Sequence, residues 1–229
     1  MDDRTRALIR RVWPRQLAFS LILAALIFAL AGTVAYWQGW LFLLAFVGSS
    51  VVLGAYFAKR DPALIERRIH GGVAAEQEPT QKIIVALLMA GLLLMVLVPA
   101  LDHRWHCSTV SAWLAIVANV GIVASFVIFF FVMKQNSYAA ATVRVEAKQP
   151  VISTGLYGVV RHPMYSGALL LTICIPLALG SSWSLLLLIL VFPVLVWRSL
   201  DEERVLRRDL RGYTEYCREV RYRLVPFIW

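Results

Sequence analysis

Charge is scarce in this chain. Asp, Glu, Lys and Arg together make 16% of its 229 residues, against ~25% in an ordinary soluble domain. With 60% apolar residues and a mean hydropathy of +0.70, where ~45–50% apolar is usual, a water-soluble globule is excluded. Cysteine is also thin: Cys107, Cys174 and Cys217 lie far apart and form no C-x-x-C pair, which argues against a disulfide framework or a thiolate metal site. Acidic partners are few and no second histidine stands at ligand spacing from His162, so no metal is expected. There is no G-x-S-x-G, which removes the commonest serine acyl-transfer signature. Acidic residues are outnumbered 14 to 23 by basic ones, and the pI is near 9.9. In a chain this apolar the excess reads as topology signals and contacts to anionic headgroups, and no nucleic-acid partner is expected. No internal repeat or low-complexity tract stands out.

What is present is a set of uncharged runs: Leu17–Tyr36, Trp40–Ala58, Ile83–Leu101, Val110–Met133 and Gly167–Trp197. A membrane-crossing helix needs ~20 residues, so the first four read as single spans. The first is too long for the apolar part of a cleavable signal peptide and is expected to remain. Gly167–Trp197 is too long for one span, and Gly180-Ser-Ser-Trp183 interrupts it with a flexible residue, two capping residues and an interfacial aromatic. The reading is two short helices joined by a tight turn, with Pro163 in the first helical turn and Pro176 and Pro193 as kinks. The fold expected is all-α: a polytopic bundle of about six membrane helices whose last two form a hairpin. One membrane domain would span residues 1–229, with a four-helix part at 1–133 and a cofactor loop, hairpin and tail at 134–229.

Under that count 22 of the 23 Lys and Arg fall on one side, and only Arg104 on the other. The positive-inside rule then places both termini and the intervening basic loops in the cytoplasm, in an inner or cell membrane. Trp37, Trp40, Trp105 and Trp183 read as interfacial anchors.

Ionisable and hydrogen-bonding residues at membrane level are expensive and point to function. They collect in Gly155-Leu-Tyr-Gly-Val-Val-Arg-His-Pro-Met-Tyr165 and in Arg198-Ser-Leu-Asp-Glu202. Upstream, alternation over Val143 to Ile152 suggests an extended segment, and Gly155 and Gly158 allow tight turns and close backbone approach to a ligand. Arg198 and Glu202 are four apart on one helix face. They form either a plain surface pair or two separate ligand contacts, the arginine for a carboxylate or phosphate and the glutamate for an ammonium or a sugar hydroxyl. Asp201 and Glu203 read as a helix-surface acidic cluster. The tail from Arg204 to Trp229 mixes basic and aromatic residues; it can lie on the inner leaflet or fold over the pocket as a lid.

Gly155–Tyr165, with Arg198, Glu202, Leu206, Tyr213, Tyr216 and Arg223-Leu-Val-Pro226, resembles the C-terminal half of the isoprenylcysteine carboxyl methyltransferase family. It is similar also to the phospholipid and small-thiol methyltransferases of membranes. The resemblance covers about residues 134–229. It implies that Gln149, Pro150, Val151, Ile152, Tyr157, His162, Pro163, Met164, Tyr165 and Glu202 bind S-adenosylmethionine, and that Arg198 stands by the acceptor carboxylate. Gln135 or Asn136 would be a further polar cofactor contact. Pro150 departs from the eukaryotic pattern by removing a backbone donor, and the stretch from Leu206 to Tyr213 is one residue shorter.

Methyl transfer from a sulfonium needs alignment and a water-poor site more than acid or base. A carboxylate acceptor is already nucleophilic, whereas an amine or thiol must lose a proton, for which His162 or Glu202 would serve. The expected partners are a lipophilic or lipidated acceptor and membrane lipids. A phospholipid amine and a small thiol are the other acceptors. A transporter or assembly factor without catalysis, or a nicotinamide-dependent membrane reductase, are the rival functions. The first four spans hold little polar beyond Asn119, which favours an enzyme over a transporter.

Overall fold

The computed structural model describes residues 3–69, 71–76, 78–138 and 149–229. Eight helices run through them: α1 (Asp3–Ala31), α2 (Trp37–Arg60), α3 (Pro62–Ile69), α4 (Pro79–Trp105), α5 (Ala112–Gln135), α6 (Pro163–Ala178), α7 (Leu188–Asp209) and α8 (Tyr213–Glu219). Among the described residues there is no strand. The all-α expectation holds. The extended segment expected over Val143 to Ile152 lies outside the described residues up to position 148.

Five helical stretches are long and apolar enough to cross a membrane: Arg10–Ala31, Trp37–Arg60, Pro79–Trp105, Ala112–Gln135 and Trp183–Asp209. Their outward faces are apolar; Leu44 is 72% exposed and Ile189 69%. Apolar surface on that scale calls for lipid rather than water. The tryptophans expected at span ends, Trp37, Trp40, Trp105 and Trp183, are exposed, as headgroup anchors require.

Two boundaries differ from the hydropathy reading. The first run does not stay helical to Tyr36: α1 stops at Ala31, Gly32 takes φ +71°, and Tyr36 caps α2. Tyr36 instead turns its ring inward, stacks on His103 at 4.0 Å and donates its hydroxyl to the Leu179 carbonyl. The last run does break at Gly180, where φ is +81°, but its arms are unequal. α6 has 16 residues, about 24 Å at ~1.5 Å per residue. The second arm, a 3-10 turn over Trp183–Leu187 continuing into α7, runs 27 residues to Asp209. The break is held by buried hydroxyls: Ser181 donates to Asp102 and shares a 2.8 Å contact with Ser184. Pro193 sits inside α7, which continues past it, whereas Pro176 stands in the last turn of α6, two residues before its end.

Helices α5 and α6 pack closest. A Cβ on Gly121 would come within 2.4 Å of Cys174 Sγ, and one on Gly167 within 2.7 Å of Phe129, so only glycine lets these backbones meet. The central core joins Ile27, Phe42, Met95, Ile122, Ile175 and Val191 from six helices. A second cluster, Leu8, Phe57, Leu64, Ile65 and Met133, seats α3. That short helix follows from Asp61-Pro62: Asp61 Oδ1 accepts from the Leu64 amide at 3.0 Å, a capping bond ahead of a proline in the first turn.

Candidate functional site

The polar loops meet at one end of α4, α6 and α7. There, a cavity of ≈ 420 Å³ is lined by Gln149, Pro150, Val151, Ile152, Tyr157, His162, Pro163, Met164, Tyr165, Arg198 and Glu202. These are all eleven residues singled out from the sequence. Arg68, Asn136, Tyr138, Arg161, Tyr213 and Tyr216 add to its polar wall, and Val85, Leu88, Met89 and Leu92 of α4 to its apolar one. The volume falls in the range of ordinary small-molecule pockets, ~300–1,000 Å³.

The turn carrying Tyr157 is built on a glycine. Gly155 has φ +60°, and a Cβ there would strike the Gln135 side chain at 2.2 Å. Gln135 Oε1 accepts from the Leu156 amide at 3.1 Å. The close approach that Gly155 allows here is to Gln135, a brace at the end of α5. Asn136 does line the cavity, where its Nδ2 donates to the Tyr157 hydroxyl at 3.1 Å.

The start of α6 is fastened by the tail. Arg161 and His162 donate their backbone amides to the carbonyls of Tyr222 and Arg223, both at 2.9 Å, and Ser166 Oγ donates to the Leu224 carbonyl. Tyr216 donates to the Tyr157 carbonyl at 2.7 Å, while Tyr213 and Tyr216 pack with Leu210, Val220 and Val151. Leu206, Leu210, Tyr213 and Tyr216 of the tail segment line the cavity.

Glu203 is the hub of this arrangement and corrects the surface-cluster expectation. It is buried and receives Arg161 Nη1 at 2.8 Å, Arg223 Nε at 3.2 Å and His162 Nε2 at 3.3 Å. Asp201 is buried too, accepting from Gln81 Nε2 at the start of α4 and from Arg204 Nη1 at 2.9 Å. Only Glu202 of the three turns to the cavity. Burial comes from Arg161, Arg223 and Gln81, residues distant in sequence, so no spacing within α7 announces it.

Arg198 is not a plain surface partner of Glu202. Its Nη2 meets Glu76 Oε1 at 2.8 Å with both side chains buried, and its Nε donates to the Tyr165 hydroxyl at 3.3 Å. Tyr165 in turn donates to Glu202 Oε2. Its ring and that of His162 stack with centroids 5.6 Å apart. Glu76 was missed by the sequence reading; it sits in a loop with no motif around it.

Burial holds the loop and tail phenols neutral. It pushes the Tyr157 hydroxyl up to about 12, with Glu202 adding to the rise and the Asn136 bond opposing it. Burial also raises the hydroxyls of Tyr213 and Tyr216 above the ordinary phenol value and lowers the Arg68 guanidinium. All three hydroxyls are thus protonated near pH 7.

Two cavity-lining groups, Arg161 Nε and the Tyr213 hydroxyl, are buried with no hydrogen-bond partner among the described residues. Buried donors of this kind are normally satisfied. Their place on the wall, beside one carboxylate and several aromatic faces, fits a bound ligand with polar and cationic parts, as S-adenosylmethionine has.

Residues 107–211 match the family model for phospholipid methyltransferases. The match covers a little under half of the chain and takes in all eleven expected site residues, ending before Tyr213. A Delta(14)-sterol reductase of Mus musculus is 31% identical over 91 residues, 38% of this chain. Only 22% of that relative's length is covered.

Proposed function

We propose that this chain is an integral membrane methyltransferase that moves the methyl group of S-adenosylmethionine to a lipophilic acceptor. The observation that carries the reading is the gathering of all eleven expected residues on one cavity, within the stretch similar to phospholipid methyltransferases. When bound, the cofactor supplies an electrophilic methyl on a sulfonium. The chain's own part is to bind, align and exclude water. Glu202 and the faces of Tyr157, Tyr165 and His162 would hold the cofactor's cationic parts. The donors Tyr213 and Arg161 would hold its oxygen-bearing parts, and the tail would keep water out.

The acceptor end lies toward α4. Val85, Leu88, Met89 and Leu92 recur at helical spacing on the cavity wall, and Met89 is 57% exposed on the apolar outside of the bundle. An acceptor with a hydrocarbon tail could lie along that stripe with its head beside Arg198. A carboxylate head, as in isoprenylcysteine O-methylation, needs only placement by the guanidinium. An amine or thiol head would pass its proton to Glu202 or His162. The basic-residue bias supports a cytoplasmic side for the cavity and both termini.

The similarity to a sterol reductase favours a second reading, a nicotinamide-dependent reductase using the same cavity. Incubating the purified chain with methyl-labelled S-adenosylmethionine and prenylated carboxylates, phospholipid amines and alkyl thiols separates the two. Label should pass to one of these classes. Hydride transfer from a nicotinamide cofactor, with no methyl transfer, would replace the first reading by the second.

A further inference from the structure

We propose that Glu76 is a specificity-determining residue, which sets the headgroup charge that the acceptor end of the cavity takes. The inference deepens the methyltransferase reading and rests on it. Glu76 follows the 3-10 turn Val73–Ala75 between α3 and α4. Its carboxylate lies 2.8 Å from Arg198 Nη2, with side-chain exposures of 2% and 5%. Arg198 lines the cavity, whereas Glu76 stands outside the lining, behind the guanidinium.

A second residue near Glu76 also meets α7. Gln81, five residues on, is buried and donates to Asp201, three residues from Arg198 on α7. Glu76 and Gln81 therefore both contact α7. Arg198 is gripped along its Nε–Nη2 edge by the Tyr165 hydroxyl and Glu76, which fixes the guanidinium plane.

Charge follows from this arrangement. Arg68, Arg161 and Arg198 bring three positive charges to the cavity wall, and Glu202 brings one negative. Glu203 meets Arg161 from behind at 2.8 Å, and Glu76 meets Arg198 in the same way. An anionic head, carboxylate or phosphate, is then drawn less strongly than Arg198 alone would draw it. In a site largely screened from water, one unit of charge a few ångströms away outweighs a neutral hydrogen bond. Without Glu76 the same wall would be more positive by one charge and would favour an anion.

The test uses the full chain, methyl-labelled S-adenosylmethionine and two acceptors sharing one tail, S-farnesylthioacetate and farnesylamine. Each is measured as a substrate or, where it is not turned over, as an inhibitor. Glu76→Gln should shift the carboxylate-to-amine ratio of kcat/KM, or of inhibition, toward the carboxylate by at least about tenfold. Glu76→Asp, which keeps the charge but withdraws it by a methylene, should shift it the same way by less. S-adenosylhomocysteine affinity should stay within about twofold in both, since Glu76 lies outside the cavity. An unchanged ratio, or one moved toward the amine, would reduce Glu76 to a brace for Arg198 and overturn the proposal. So would loss of S-adenosylhomocysteine binding in both variants, which would assign Glu76 to folding. Failure of the unaltered chain to bind S-adenosylhomocysteine would instead strike the methyltransferase reading itself.

Discussion

Arg198 shows how far single residues could be read from sequence. Its place at membrane level and its helical spacing to Glu202 marked it, and the cavity holds both. Its buried partner Glu76 could not be found that way, because 122 positions separate the two and no pattern links loop to helix. Glu203 was missed for a related reason: its partners Arg161, His162 and Arg223 come from two other segments. Arg198→Lys separates the arginine's roles. Lysine keeps the charge but cannot meet Glu76, Tyr165 and an acceptor head with one planar fork. Activity should fall about 10- to 150-fold, the cost of one charge-assisted contact in the transition state, while S-adenosylhomocysteine affinity changes little. Steady-state kinetics beside calorimetry will show this, and wild-type turnover would remove Arg198 from the acceptor site.

Among the elements, helices were legible where hydropathy alone decides. The four long runs became α1, α2, α4 and α5, and the break at Gly180 falls where the capping residues placed it. What hydropathy missed is set by partners. Helix α3 is short and polar enough to escape a search for spans, although Asp61-Pro62 marks its start. The second hairpin arm continues beyond the apolar run because Arg198, Asp201 and Glu203 are buried by loop and tail. The α5–α6 contact decides how α6 presents His162 and Tyr165, and it depends on Gly121. Gly121→Ala should destabilise the protein by about 1–3 kcal/mol through overpacking. Cys174→Ala, which removes the sulfur that the new methyl would strike, should restore most of that loss in the double variant. Thermal unfolding of the four members of this cycle measures the coupling. Equal destabilisation with and without Cys174 would show that the two helices do not meet there.

For the whole molecule, the cavity is a joint product of distant segments: loop residues 149–157, the start of α6, the middle of α7 and the tail. Its buried phenols give it a pH signature. The Tyr157 hydroxyl is raised to about 12 from an unfolded value near ~10, so the folded state retains a proton that the unfolded chain releases. Tyr213 and Tyr216 are raised in the same direction. The stability they contribute is fully present below about pH 10 and is lost as pH rises toward the folded value. Thermal stability in detergent should therefore fall above about pH 10, and Tyr157→Phe should blunt the fall. A fall of equal depth in that variant would mean that the phenol is solvated.

The central claim is that this cavity binds S-adenosylmethionine, and titration calorimetry of the purified chain with S-adenosylhomocysteine tests it most directly. One saturable site should appear, weakened at least about tenfold by Glu202→Ala and by Tyr165→Ala with the fold retained. Absence of binding by the unaltered chain, or equal affinity in both variants, would contradict the account.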